Sequence, residues 1–236
     1  MNIKLIAVGS RPWELWTKQW GLSFLIDDHL LFDTFANPRA LFKRAKRANV
    51  DLGKIQTVVI SHDHWDHVNG LWKLLEQRQG MDVYLPSSAN AEVKARILAA
   101  GSRVLDGAGA KTLKPDIFVT NEFIGEFDGK PMPEQALVLK TDKGLNLIVG
   151  CSHPNILTIV RSVKQTFNMP VCGVVGGLHL MNAPTNDIHN CANALKNEGV
   201  SLIAPIHCTG WRAERIFKKV FGKGYVSLRE GHTLSL

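Results

Sequence analysis

Cysteine is scarce in this chain: Cys151, Cys172, Cys191 and Cys208 are the only four, and none stands in a CxxC pair. That excludes a small disulfide scaffold and points to a reducing, cytoplasmic compartment. No stretch approaches the roughly 20 apolar residues of a membrane span, so a membrane partner is not expected. The opening Met1-Asn2-Ile3-Lys4-Leu5-Ile6-Ala7-Val8 is a short apolar run that ends at Gly9-Ser10. It reads as a first strand; a signal peptide needs a longer apolar region and a small-residue cleavage site. Repeats, low-complexity tracts and linkers are also missing, so nothing in the composition divides the 236 residues. Acidic residues are outnumbered 21 to 28 by Lys and Arg, giving a net charge of +7. The excess gathers in Lys43-Arg44-Ala45-Lys46-Arg47 and around Arg212, Arg215, Lys218 and Lys219. Both clusters fall on expected helices, where a solvated outer face is favoured over nucleic-acid contact. The same excess would attract an anionic substrate, including a phosphate ester.

What is present is an ordinary soluble core, 45% hydrophobic with 21% charged residues. Strands are expected at Gly21–Ile26 and Leu30–Asp33, joined by the compact connection Asp27-Asp28-His29. A helix starts at Asn37-Pro38, with a capping side chain and then proline. The β-branched run Gln56–Ile60 is a buried strand. Helical faces follow from Asn69-Gly70 through Leu75, and from Ser87-Ser88 to Gly101. Strands dominate from Arg103 to Val149. Helix and strand then alternate through Val171–Val175, Asn186–Leu195, Leu202–Ala204 and Trp211–Phe221. Two mixed sheets with helices outside account for this order.

The chemistry concentrates in Ser61-His62-Asp63-His64-Trp65-Asp66-His67, where the Gln56–Ile60 strand ends. Histidines two apart can turn toward one point, and the neighbouring Asp66-His67 pair toward a second. Imidazole and carboxylate donors suit zinc, manganese or iron. Two more histidines, His153 and His207, also follow expected strands. His179, after Gly176-Gly177, is open to three roles: ligand, general acid or substrate contact. Trp13, Trp16 and Trp20 lie in an expected loop, either walling a pocket for a planar substrate or packing on the rim. Cys151 and Cys208 flank ligand candidates; small buried filler is favoured over a redox role.

His62-x-His64-x-Asp66-His67 resembles the HxHxDH signature of the metallo-β-lactamase superfamily. Gly150-Cys151-Ser152-His153, Gly176-Gly177-Leu178-His179-Leu180 and Pro205-Ile206-His207-Cys208-Thr209-Gly210 extend the resemblance over nearly the whole chain. Together they are most similar to the branch named for dihydropterin-methyl-(ribofuranosyl)aminobenzene phosphate synthase. The resemblance implies a single domain over residues 1–236, a four-layer αββα sandwich with metal in a cleft at one edge. It implies a binuclear centre in which His62, His64 and His153 bind one zinc ion and Asp66, His67 and His207 the other, with manganese or iron as alternatives. Asp33, closing a strand, would support the metal loop by hydrogen bonding. Two departures stand out. Gly150-Cys151 occupies the place of the superfamily's bridging Gly-Asp, and Glu134 lies in the region of an earlier histidine. Either His153 takes over, Glu134 contributes a carboxylate, or the second ion is weak.

The implied activity is metal-dependent hydrolysis of a small, phosphate-containing ester, with Asp66 orienting the nucleophile and His179 as a second catalytic candidate. The branch name offers an alternative, a pterin-linked transferase or synthase, for which the tryptophan segment would suit the pterin ring. A third reading is metal-dependent binding or nucleic-acid processing without such turnover. Nuclease relatives in the superfamily usually carry extra RNA-gripping elements, for which this chain leaves little room. A di-iron redox role is disfavoured because His64 stands where that branch commonly has glutamate.

Overall fold

The same pattern, antiparallel strands first and parallel strands with crossover helices after, occurs twice in the computed structural model, which describes residues 1–107 and 109–236. Unit 1 comprises Met1–Gly109 with Leu228–Leu236, and unit 2 comprises Ala110–Ser227.

Unit 1 opens with β1 (Asn2–Gly9), a short helix α1 (Pro12–Trp16), β2 (Gly21–Ile26) and β3 (Leu30–Phe32). The helix α2 (Pro38–Arg47) leads to β4 (Thr57–Val59), α3 (Trp65–Gln77), β5 (Asp82–Tyr84), α4 (Ala91–Ala99) and β6 (Arg103–Leu105). The sheet runs from the C-terminal strand Thr233–Ser235 through β1 to β6 in order. Pairing is antiparallel from that terminal strand to β3 and parallel from β3 to β6. Parallel strands require crossovers, and α3 and α4 supply two of them. The apolar faces of α2 and α3, with Leu41, Ala45, Val68, Leu71, Leu74 and Leu75, join β-strand residues such as Leu31, Val58 and Val83 in one core.

Three expectations need correction here. The helix after the histidine motif begins at Trp65 and not after Asn69-Gly70, so Asp66 and His67 lie in its first turn. Gly70 is interior because the chain before α2 presses on the helix: a Cβ there would stand 1.9 Å from the Thr34 carbonyl oxygen. It therefore marks close approach, not a break. The helix expected from Ser87-Ser88 starts at Ala91, capped by Asn90, whose Oδ1 accepts from the Glu92 N–H at 2.7 Å. The tryptophan segment is partly helical, since Pro12 suits a first helical turn and Glu14 folds back to accept from the N–H groups of Ser10 and Arg11. By contrast, Asn37 caps α2 as expected, accepting from Ala40 N at 3.0 Å.

Unit 2 contains β7 (Lys111–Lys114), β8 (Ile117–Val119), β9 (Phe123–Phe127), β10 (Lys130–Glu134), β11 (Leu137–Thr141) and β12 (Gly144–Val149). It continues with α5 (Ile156–Phe167), β13 (Val171–Gly177), α6 (Thr185–Asn197), β14 (Leu202–Ile206) and α7 (Trp211–Phe221). Its main sheet has the order β14-β13-β12-β11-β8-β7, with β12, β13 and β14 parallel. The helices α5, α6 and α7 bury Val160, Ile188, Leu195 and Phe217 with Leu147, Val149, Val174 and Ile203. β9 and β10 form a separate hairpin. Pro131 and Pro133 hide β10 in the sequence, and they are tolerated because, among the described residues, β10 pairs with β9 alone. No helix among the described residues is long and apolar enough to cross a membrane.

Candidate metal centre

In unit 1 the parallel strands β3 and β4 end side by side, and their following residues carry the polar cluster. Carboxyl ends of parallel strands are where α/β sheets collect ligands, because the chain there turns away from the sheet into its crossover. Asp33 follows β3 in the left-handed region, φ 56°, fully buried. Non-glycine residues held there cost about 1–3 kcal/mol, and such strain gathers at functional sites. Asp33 Oδ1 accepts from the Ser61 N–H at 2.7 Å, and Oδ2 accepts from Ser61 Oγ and lies 2.7 Å from His67 Nδ1. With Ser61 Oγ donating to Asp33, its lone pair faces His62 Nδ1 at 2.9 Å. That network assigns the proton to Nδ1 in both His62 and His67 and leaves each Nε2 as a donor atom for a metal.

The Nε2 atoms so released have partners at telling distances. His62 Nε2 lies 3.1 Å from His64 Nδ1, and His67 Nε2 lies 3.3 Å from Asp66 Oδ2. Two donors bound at ~2.0–2.1 Å to one tetrahedral ion stand about 3.3–3.4 Å apart. Each pair thus has the spacing of two ligands on one cation, and the donor types are those zinc accepts. Thr34 holds α3 at this point: its N–H and Oγ1 both donate to the His67 carbonyl, while its Oγ1 accepts from the Leu71 N–H. Burial lowers the His67 pKa, but Asp66 and Asp33 outweigh it and carry the ring well above its usual value. Burial raises Asp33, which stays above the ordinary carboxylate value although His67 and Ser61 pull it down.

In unit 2, β12, β13 and β14 end in parallel, and each is followed by a candidate. The turn after β12 carries Cys151, Ser152 and His153; β13 leads to His179; β14 leads to His207. Ser152, His179 and His207 all have positive φ, at 62°, 52° and 56°. Glu134 explains the geometry of the first turn. Its Oε1 accepts from the N–H groups of Cys151 and Ser152 at 2.9 and 2.8 Å, and its Oε2 from the N–H of His153 at 2.9 Å. Oε2 also lies 3.0 Å from His153 Nδ1. Burial raises the Glu134 pKa most, yet His153 and these N–H donors reverse it, leaving the carboxyl below its usual range. Both oxygens are occupied, so Glu134 orients His153 through the ring's Nδ1.

The sulfur of Cys151 lies within 4.8 Å of ring nitrogens of His153 and His179, and also of His207 and the Cys208 sulfur. Phe127, on β9, packs its ring edge-on against His153 and His179, with centroids 5.4 and 5.8 Å away. Burial raises the Cys208 thiol, but Cys151, His207 and His179 together carry it well below its usual value.

His62, His64, Asp66 and His67 are thus gathered in unit 1, and His153, His179 and His207 in unit 2. Ser61, Thr34 and Phe127 were not assigned roles in the sequence; the serine inside the motif was the one available signal. Trp16 is 87% exposed, so it is not buried rim packing. Arg212, Arg215, Lys218 and Lys219 are all exposed on α7, as a solvated face requires. Arg44 instead stacks on Phe35 and pairs with Glu230, tying α2 to the C-terminal segment of the same unit.

Residues 28–120 match the family model described as the Beta-lactamase superfamily domain. The chain is 29% identical to 7,8-dihydropterin-6-methyl-4-(beta-D-ribofuranosyl)-aminobenzene-5'-phosphate synthase of Methanocaldococcus jannaschii, covering 90% of this chain and 88% of that protein. The crystal structure of Tm1679, a metal-dependent hydrolase of the β-lactamase superfamily, superposes with a TM-score of 0.79 at 26% identity, over 100% of this chain and 99% of that one. The metallo-β-lactamase fold protein YhfI from Bacillus subtilis matches with a TM-score of 0.71 at 13% identity, over 99% of each chain, a likeness of fold.

Proposed function

We propose, for a chain that has the metallo-β-lactamase fold and resembles a dihydropterin-linked synthase, that it is a metal-dependent hydrolase of a small, phosphate-containing ester. The observation that carries this reading is the ligand-pair spacing in unit 1, 3.1 Å for His62 with His64 and 3.3 Å for Asp66 with His67. In the proposal His62, His64, Asp66 and His67 from unit 1 and His153 and His207 from unit 2 are ligands of zinc, or of manganese or iron. Such an ion supplies Lewis acidity: it lowers the pKa of water toward neutrality and polarises the oxygen under attack.

The protein's own groups do the rest. Asp33 and Ser61 fix the His62 and His67 rings so that each Nε2 keeps its lone pair. Glu134 fixes His153 through Nδ1. Asp66 accepts a hydrogen bond from the attacking water and so orients it. His179, exposed at its strand end, delivers a proton from its ring to the leaving oxygen. Phe127 packs edge-on against that ring and limits its rotation.

Cleavage of phosphate mono- and diesters by the purified, metal-supplemented protein tests the reading. His64→Ala is expected to lose at least a hundredfold in kcat/KM; unchanged activity in that variant removes the proposal. The synthase relative favours a second reading, transfer chemistry on a reduced pterin. Exposed Trp13 and Trp16 would then report pterin addition by a change in intrinsic fluorescence, and an unchanged spectrum counts against that reading.

A further inference from the structure

Unit 2 holds more sulfur at its candidate site than an imidazole and carboxylate centre requires. The Sγ atoms of Cys151 and Cys208 and a ring nitrogen of His207 all lie within 4.8 Å of one another, and all three residues are buried. Donors around one tetrahedral ion stand ~3.3–3.8 Å apart when metal–sulfur bonds are near 2.3 Å, so small rotations bring these three into one coordination sphere. The backbone packs closely on the Cys208 sulfur. A Cβ on Gly177 would stand 2.4 Å from the Gly150 carbonyl oxygen and 2.6 Å from this sulfur, so only glycine lets β13 pass both. The His179 N–H is aimed at the sulfur at 3.3 Å. Leu178 N donates to Thr209 Oγ1 at 3.0 Å, which fastens the ends of β13 and β14 on either side of it. A backbone donor aimed at the sulfur is more than buried filler requires.

We propose that Cys151, Cys208 and His207 form a two-sulfur, one-nitrogen site for a divalent metal of borderline or soft character, such as zinc. The idea rests on the reading that unit 2's cluster binds metal, and changes its donors from imidazole alone to imidazole with thiolate. Binding is redox-neutral: both sulfurs bond the ion as thiolates, and any thiol proton present leaves to solvent. Three protein donors leave a fourth position for water or substrate, the pattern of catalytic rather than structural zinc.

The test is replacement of the native metal by cobalt(II) in the full-length protein, read by absorption. The proposal expects visible bands from bound cobalt together with an intense near-ultraviolet sulfur-to-cobalt band. That second band is expected to fall by about half in Cys151→Ser and in Cys208→Ser, as one of two thiolates is removed, and to persist in Cys172→Ser. The wild-type arm does not depend on any variant folding, and cadmium addition provides a second one through its own sulfur-to-metal band. Visible cobalt bands without the near-ultraviolet band overturn this inference and leave the hydrolase reading standing on nitrogen and oxygen donors. Failure to bind cobalt or cadmium at all overturns both.

Discussion

Asp33 in unit 1 and Glu134 in unit 2 do the same work by different means. Each is a buried carboxylate beside the Nδ1 of a candidate ligand histidine, His67 at 2.7 Å and His153 at 3.0 Å. Asp33 has one backbone N–H and a serine hydroxyl, whereas Glu134 gathers three consecutive N–H groups. Preformed backbone donors stabilise a charge where burial alone would neutralise it. Accordingly Glu134 is held below its usual pKa and Asp33 above it. The lesson is that orienting a ligand and stabilising the fold are separable: both carboxylates orient a ring, but Glu134 also organises the chain that carries it.

The largest break in this symmetry is expected from isosteric amides. Glu134→Gln turns an NH2 group toward backbone donors and should cost about 3 kcal/mol of unfolding free energy in urea melts of metal-free protein, charge-assisted bonds being worth ~1.5–3 each. Asp33→Asn should cost about 1 kcal/mol, since it removes a charge the fold already disfavours. Equal costs would mean that the three N–H groups give Glu134 no advantage. Acidification should sharpen the contrast. Glu134 has a folded pKa lowered from 4.5, so its stabilisation is present above 4.5 and is lost as pH falls through the lower folded value. The stability gap between wild type and Glu134→Gln therefore narrows below pH 4.5. Asp33, raised from 3.8, has the opposite sign, and the Asp33→Asn gap should not narrow on acidification. Ser61→Ala gives the smallest effect, about 0.5 kcal/mol of stability and roughly tenfold in metal affinity, by freeing the His62 ring to rotate. Calorimetric titration with zinc would show it, and undiminished affinity would deny Ser61 its part in setting the His62 tautomer.

The unit 1 cluster was legible in the sequence because its chemistry is local: His62, His64, Asp66 and His67 are within one strand end and one helical turn. The alternation of strands and helices that carries it was legible for the same reason, apart from α1, the starts of α3 and α4, and β10, where polar side chains, Gly70 and two prolines disguise the elements. Glu134 could be noticed but not assigned, since its partners lie 17–19 residues on and meet it only when β10 and the β12 turn fold beside each other. Nor could the surroundings of Cys208 be read, namely the close approach of Gly177 and the His179 N–H aimed at the sulfur. Both are properties of neighbouring strands, not of spacing.

The central claim is that these strand-end clusters hold divalent metal. Metal content per chain, measured after purification without added metal, tests it most directly. The account predicts about two ions per chain, with a loss in His67→Ala and in His153→Ala. A wild-type protein that is folded, metal-free and still unable to retain zinc after dialysis would contradict it.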